Sequence, residues 1–435
     1  MGIGTKSAFS KSLSRRKVLT QAAGVGAGLL MAPSLIRSAS AAGDPIRIGF
    51  VTPQTGAMAT FSTGLDFVLE SFRQAIGEGI KVGDAVRPVE ILVRDSQSSS
   101  SRSAEVAAEL ITNDNVVLML ASSSSDTVGP VADQCELNGV PCISTDVPWE
   151  PYFFGRGGNP ETGFDYTYHF FWGVDQIIQT FTSLWSKIET NKVVGALWSN
   201  DTDGVAISNP EHGFPPRFKA AGYELFDAGL FTPGAADYTA QIAKLKEAKC
   251  EILTGVFNPG DFATFWSQAG QQGYHPKIAT IAKALLFPAS IEAVGERGYG
   301  LSTEVWWSPN HPFKSGLSGQ SARDFCAAYT DKTKRQWVQP LGFKYALLEV
   351  AVDVLKRTKD INDPKSIVEA ITATDYQSIV GSVRWQGGPV KNVSLTPLVG
   401  GQWSKGNGFP YDLDIVDNAA YPGIATKRPF APIAW

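Results

Sequence analysis

Short apolar runs and helical stripes take turns along this 435-residue chain, and their order is the first clue to its fold. Ile46-Arg47-Ile48-Gly49-Phe50-Val51 reads as a strand and runs out at Thr52-Pro53-Gln54-Thr55-Gly56. Apolar residues then fall at Leu65, Val68, Leu69, Phe72, Ala75 and Ile76. That i, i+3, i+4, i+7 spacing predicts a helix with one buried stripe, and Gly77 and Gly79 stop it. Further strands are predicted at 89–94, 116–120 and 140–143, with helices around 104–111 and 128–137 between them. After a Pro- and Gly-rich stretch, 148–163, the pattern restarts with a helical stripe over 177–188 and a strand at 192–198. A helix over 236–249, a strand at 251–257, a helix through 268 and a strand at 278–281 continue it.

Strands that alternate with helices form βαβ units, which means a parallel sheet with helices on its faces. Two such α/β units are expected, one before about residue 170 and one after it. Two more helical patterns, near 318–330 and 343–356, come late, and short β-like runs without helical period fill the chain from Val383 onward. The stretch 148–163 carries Trp149, Tyr152, Phe153 and Phe154, too apolar for a flexible linker. It is expected at the mouth between the two units.

Length and composition agree with two lobes of a folded protein. An apolar fraction of 43% with 18% charged residues is not the composition of a disordered chain. The formal net charge of −4 hides an asymmetry. Residues 1–42 hold Lys6, Lys11, Arg15, Arg16, Lys17 and Arg37 and no acid, so taking those six from 38 leaves 32 basic against 42 acidic residues, a net of −10. A body that acidic is a poor partner for nucleic acid or an anionic membrane surface.

The basic segment reads as an address. Ser14-Arg15-Arg16-Lys17-Val18-Leu19 has the twin-arginine form, a modest apolar stretch runs from Ala22 to Met31, and Ser38-Ala39-Ser40-Ala41-Ala42 offers small residues for cleavage. Charged head, short apolar middle and small-residue exit make a secretory signal over 1–42, here of the Tat type. Periplasmic localisation is therefore expected. Cys135, Cys142, Cys250 and Cys326 remain, and an oxidising compartment permits a disulfide whose pairing spacing alone does not give. Buried free thiols are the expected state of most of them. The four His, at 169, 212, 275 and 311, are scattered, and no metal-ligand pattern or cofactor motif is present in the sequence.

Three stretches carry a family likeness: Ile46–Gly64 (IRIGFVTPQTGAMATFSTG), Leu118–Thr145 (LMLASSSSDTVGPVADQCELNGVPCIST) and Asp237–Gly273 (DYTAQIAKLKEAKCEILTGVFNPGDFATFWSQAGQQG). In order and spacing they resemble the type I periplasmic solute-binding proteins of the leucine/isoleucine/valine-binding kind. The likeness covers nearly all of 44–400. It implies two doubly wound parallel-sheet lobes joined by three hinge crossings, with ligand in the cleft. The divisions expected are 44–171 plus 300–378 for the first lobe and 172–299 plus 379–435 for the second. It also implies a non-enzymatic monomer that binds a small molecule and delivers it to the permease of an ABC importer.

The fold gives a physical reason for the site. Loops at the carboxyl ends of parallel strands converge beside helix N-termini, where free backbone N–H groups favour anions. Ala121-Ser122-Ser123-Ser124-Ser125-Asp126 lies between a predicted strand and a predicted helix and suits a ligand carboxylate; plain helix capping would suit the same residues. By the resemblance, Ser122 or Ser123 holds the carboxylate and Phe61 lies over the ligand. Thr145, Asp146 and Trp149 occupy the next loop, and Asp203, Phe257 and Asn258 line the second lobe. Ordinary packing accounts equally well for Phe61 and Trp149, while Trp172, Trp306 and Trp307 are expected to be buried in the hinge.

Two departures from the family pattern bear on the ligand. Lys283 stands near the place where amino-acid binders put an acid for the ligand ammonium, and Asp146-Val147-Pro148-Trp149 replaces a small Ser/Thr/Ala-rich loop. An organic acid without an amino group, an aromatic acid for example, would suit Lys283, which would otherwise be a solvated surface lysine. Two other readings stay open: a ligand-sensing module for a membrane receptor, and an exported α/β enzyme, for which no nucleophile elbow or triad motif is seen.

Overall fold

The computed structural model describes residues 43–435, so the twin-arginine leader expected over 1–42 lies outside the described residues. Among the described residues the strands gather into two large sheets and two small hairpins. The first large sheet runs in the order Val393–Ser394, Thr167–Phe170, Cys142–Thr145, Leu118–Ser122, Ile46–Thr52, Val89–Asp95, all parallel. The second runs Tyr411–Asp417, Val399–Lys405, Ser302–Val305, Ile278–Ala282, Ile252–Val256, Val193–Ser199, Glu224–Phe231; its last five strands are parallel and the first two antiparallel. Strand Leu118–Ser122 is buried at every position, as expected of a parallel strand covered on both faces.

The helix Leu65–Ile76 shows why the pattern was readable. Leu65, Phe67, Val68, Leu69 and Phe72 are buried on one side, and Arg73 lies in its last turn, where a cation complements the carbonyl end. Truncating Phe72 to Ala would cost about 3–5 kcal/mol. Gly64 precedes this helix at φ 80°, and a Cβ there would stand 2.5 Å from Leu341, so close packing on the helix Pro340–Arg357 requires glycine. One apolar core runs from the first sheet and this long helix through the hinge onto one face of the second sheet; a second lies on that sheet's other face, and a third under the first sheet's other face.

The chain passes between the two sheets three times: after Phe170, after Val305 and after Ser394. Two of the crossings are tied together where the N–H of Phe171 donates to the carbonyl of Ser394 at 3.0 Å. The N–H of Trp306 donates to Gln339 Oε1 at 2.7 Å. Two crossings fall later than the expected divisions at 300 and 379. Ser302–Val305 still pairs with Val399–Lys405 in the second sheet, and Val393–Ser394 still pairs with Thr167–Phe170 in the first.

Small differences in strand length matter more for the site. The strand expected at 116–120 is Leu118–Ser122, and the one expected at 140–143 is Cys142–Thr145. Both end two residues later, so Ser122 and Thr145 are ladder partners, not loop residues. Stretch 148–163 opens with the helix Trp149–Gly155. All four cysteines are free and buried. No helix among the described residues is long and apolar enough to cross a membrane.

Candidate functional site

A slot with a cavity volume of about 50 Å3 lies where the carboxyl ends of the two sheets face each other. That is room for a few water molecules, so a ligand of amino-acid size has to part the lobes. Its walls are largely apolar: Phe61, Pro148, Phe171, Trp172 and Trp306, with Ile177, Ile207, Val256, Ala282 and Leu286. Its polar groups are Ser123, Asp146, Asp203, Lys283 and Glu304. Five of the sequence-predicted residues are thus brought together: Phe61, Ser123, Asp146, Asp203 and Lys283.

The other five lie apart from the slot. Ser122 donates to Thr52 Oγ1 at 3.3 Å, and Thr145 Oγ1 donates to the carbonyl of Phe170 at 2.7 Å; both side chains are used up beside the strand ends. Trp149 packs on Phe153 and Phe154 and against Gly173, where a Cβ would meet the indole at 2.2 Å. Phe257 stacks on Phe231 at 4.9 Å inside the second lobe's core. Asn258 donates to Asp261 Oδ2 at 3.3 Å. Trp307, as expected, is buried, donating to the carbonyl of Ile379. Trp172 and Trp306 are buried at the crossings, as expected, and also line the slot.

The serine loop opens the helix Ser125–Asn138. Ser124 is its N-cap by position, yet its hydroxyl makes no capping bond. The buried hydroxyls of Ser124 and Ser125 have no partner among the described residues. Ser123 sits at φ 128°, strained for a residue with a side chain, and its hydroxyl is 3.2 Å from Thr52 Oγ1. Asp146 and Lys283, at φ 69° and 68°, add two more left-handed residues to the same slot. Strain of this kind is held in place by surrounding structure and gathers at functional sites.

Lys283 is neither a solvated lysine nor a free cation. Its side chain is one-tenth exposed and its Nζ lies 2.9 Å from Asp203 Oδ2 and 3.3 Å from Asp201 Oδ2. Burial opposes its charge, but Asp203 and Asp201 outweigh that and raise its pKa above the ordinary value. In Asp203 burial is likewise outweighed by the lysine, and the carboxyl is held below its usual range. The other Asp203 oxygen accepts from the backbone N–H of Ser125 across the cleft at 3.4 Å. Nearby, Thr202 on the second lobe donates to Asp126 on the first at 2.6 Å.

Glu304 was missed by sequence reasoning. It stands on strand Ser302–Val305 and accepts from the N–H of Lys283 at 3.1 Å and from Thr303 Oγ1 at 2.8 Å. Burial pushes its pKa up to about 7. Asp146 faces Lys344 of the helix Pro340–Arg357 at 3.7 Å, with both side chains fully buried. Burial raises Asp146 to about 6 and lowers Lys344 to about 8, each partner limiting the other's shift.

One serine–histidine contact resembles a nucleophile and base but has the wrong surroundings. Ser144 Oγ is 2.9 Å from His169 Nδ1, and His169 Nε2 is 2.7 Å from the carbonyl of Val147. Neither residue is exposed, and burial lowers the His169 pKa to about 3. A ring so placed fixes the turn that carries Asp146.

Two α/β lobes, three crossings and an apolar slot at the sheets' carboxyl ends define a ligand-binding architecture, and residues 45–405 match the periplasmic binding protein family. The chain belongs to that family. A Leu/Ile/Val-binding protein homolog of Brucella suis is 21% identical over 362 residues, which span 80% of this chain and 86% of that one. The branched-chain amino acid transporter substrate-binding protein LivJ of Streptococcus pneumoniae, in complex with isoleucine, is similar in structure with a TM-score of 0.68 at 16% identity, over 86% of this chain and 99% of that one. The solute-binding protein of an ABC transporter from Rhodopseudomonas palustris, in complex with 3,4-dihydroxybenzoic acid, gives 0.67 at 18% identity, over 87% and 99%.

Proposed function

We propose that this chain is the exported binding component of an ABC importer, capturing a small carboxylate-bearing solute between its lobes and releasing it unchanged to a permease. The observation that carries this reading is the start of helix Ser125–Asn138. Its cap hydroxyl caps nothing, two serine hydroxyls there lack partners among the described residues, and Ser123 lines the slot. Free N–H groups and hydroxyls at a helix N-terminus favour an anion. Isoleucine and 3,4-dihydroxybenzoic acid, held by the two solved relatives, share a carboxylate and little else. Capture without chemistry is supported by the burial of Ser144 and His169 away from the slot. Delivery to the periplasm rests on the twin-arginine leader.

A thermal-shift screen of amino acids, aromatic acids and dicarboxylates, each beside its amide or methyl ester, tests the reading. A ligand at a hundred times its dissociation constant should add about 2.7 kcal/mol of stability. Acids that shift no more than their esters would contradict it.

A further inference from the structure

We propose that the hinge end of the slot is a subsite for a neutral group that both donates and accepts hydrogen bonds, a hydroxyl or primary carboxamide, held by Asp146, Trp172 and Trp306. The inference rests on the carboxylate reading for the ligand's other end and names what that ligand carries opposite its acid.

All three side chains line the slot. Both oxygens of Asp146 and the indole N–H groups of Trp172 and Trp306 are buried without a partner among the described residues. Leaving one such group unmade costs about 1–3 kcal/mol, and four in the lining of one cavity mark a place where a guest supplies the missing bonds. Two of the residues donate and one accepts, so the guest must do both. Charge then narrows its chemistry. The Asp146 carboxylate is already balanced by Lys344 at 3.7 Å, beyond hydrogen-bond reach and wholly out of water. A second carboxylate would face Asp146 and Glu304, and an ammonium would leave Lys344 beside an uncompensated cation; either unbalances a buried pair. A neutral hydroxyl or amide does neither. Phe171 packs edge-on to Trp306 at 5.1 Å and tilted against Trp172 at 4.8 Å, and with Phe61 these rings give the slot flat apolar walls suited to an aromatic ring. The class that fits is a carboxylic acid whose far end bears a hydroxyl or carboxamide, a phenolic acid being the simplest.

Matched probes test this without identifying the natural solute. Calorimetric titration of wild-type protein would compare 4-hydroxybenzoate with benzoate, tyrosine with phenylalanine, and 4-carbamoylbenzoate with 4-(methoxycarbonyl)benzoate, which keeps the acid and replaces the carboxamide by an ester. The hydroxyl- or amide-bearing member of a pair that binds is expected to be tighter by about tenfold. In Trp172→Phe and Trp306→Phe, checked for native unfolding profiles, that ratio should fall toward one. Equal affinities within every pair in wild-type protein, or ratios unchanged in both variants, would overturn the subsite: water alone then serves these atoms. Loss of the acid-over-ester preference is the separate failure of the carboxylate reading, and if no acid binds, both ideas fall together.

Discussion

Asp203 and Ser125 meet across the cleft: one carboxylate oxygen of the aspartate accepts from the backbone N–H that begins the helix Ser125–Asn138. The second lobe thus places an anion where the first lobe is best suited to hold one. It is the same ground that the ligand's carboxylate is proposed to occupy, so the two compete.

Asp203→Asn should therefore tighten the binding of a simple acid, on the order of tenfold, because the internal competitor loses its charge. Titration of an acid found by the thermal screen checks it. Unchanged or weaker binding would mean that Asp203 assists the ligand and does not stand in its place.

Lys283 holds together two acids, since Asp201 and Asp203 are both within 3.3 Å of its ammonium. Lys283→Met should lower stability by about 3–5 kcal/mol by leaving buried charge unpaired. Adding Asp203→Asn should recover part of the loss. Urea unfolding of the two variants reports both numbers, and a loss below about 1 kcal/mol would refute the buried network.

How much of this was legible in the sequence depends on distance along the chain. Leu65 to Ile76 advertised its helix by period, and Ile46 to Val51 its strand by run length, because both facts are local. Strand Glu224–Phe231 was not seen: it is an edge strand, its faces mostly half-buried or exposed, so its apolar residues do not form a run. Ser122 and Thr145 were mistaken for loop residues because each strand extends two residues past its apolar run, and hydroxyls sit comfortably in a buried ladder. Lys283 could not be judged alone, since its partners lie 80 and 82 residues away. Glu304 had no signal at all beyond an acid in an apolar run.

That glutamate gives a pH test. Its folded pKa, about 7, exceeds the ordinary 4.5, so the folded chain keeps a proton that the unfolded chain has already released. Stability must then fall as pH rises from about 4.5 through 7. Between pH 4 and pH 8 wild type should lose up to about 3 kcal/mol more than Glu304→Gln, which cannot titrate. Parallel stability curves for the two proteins would show that Glu304 ionises at its usual pH.

Export is tested in the leader. Arg15→Lys with Arg16→Lys should leave unprocessed precursor in the cytoplasm, since the Tat route reads the paired guanidinium groups. Fractionation and immunoblotting measure it, and a normal periplasmic yield of the double variant would remove the Tat assignment.

The Ser123 loop and the start of helix Ser125–Asn138 are proposed to hold a carboxylate. Calorimetric titration of one acid and its amide against wild type and Ser123→Ala tests it most directly. The acid is expected to bind far more tightly than the amide, and the serine variant to weaken the acid roughly ten- to a hundredfold while weakening the amide much less. Equal affinities for acid and amide, or an equal loss of both in Ser123→Ala, would contradict it.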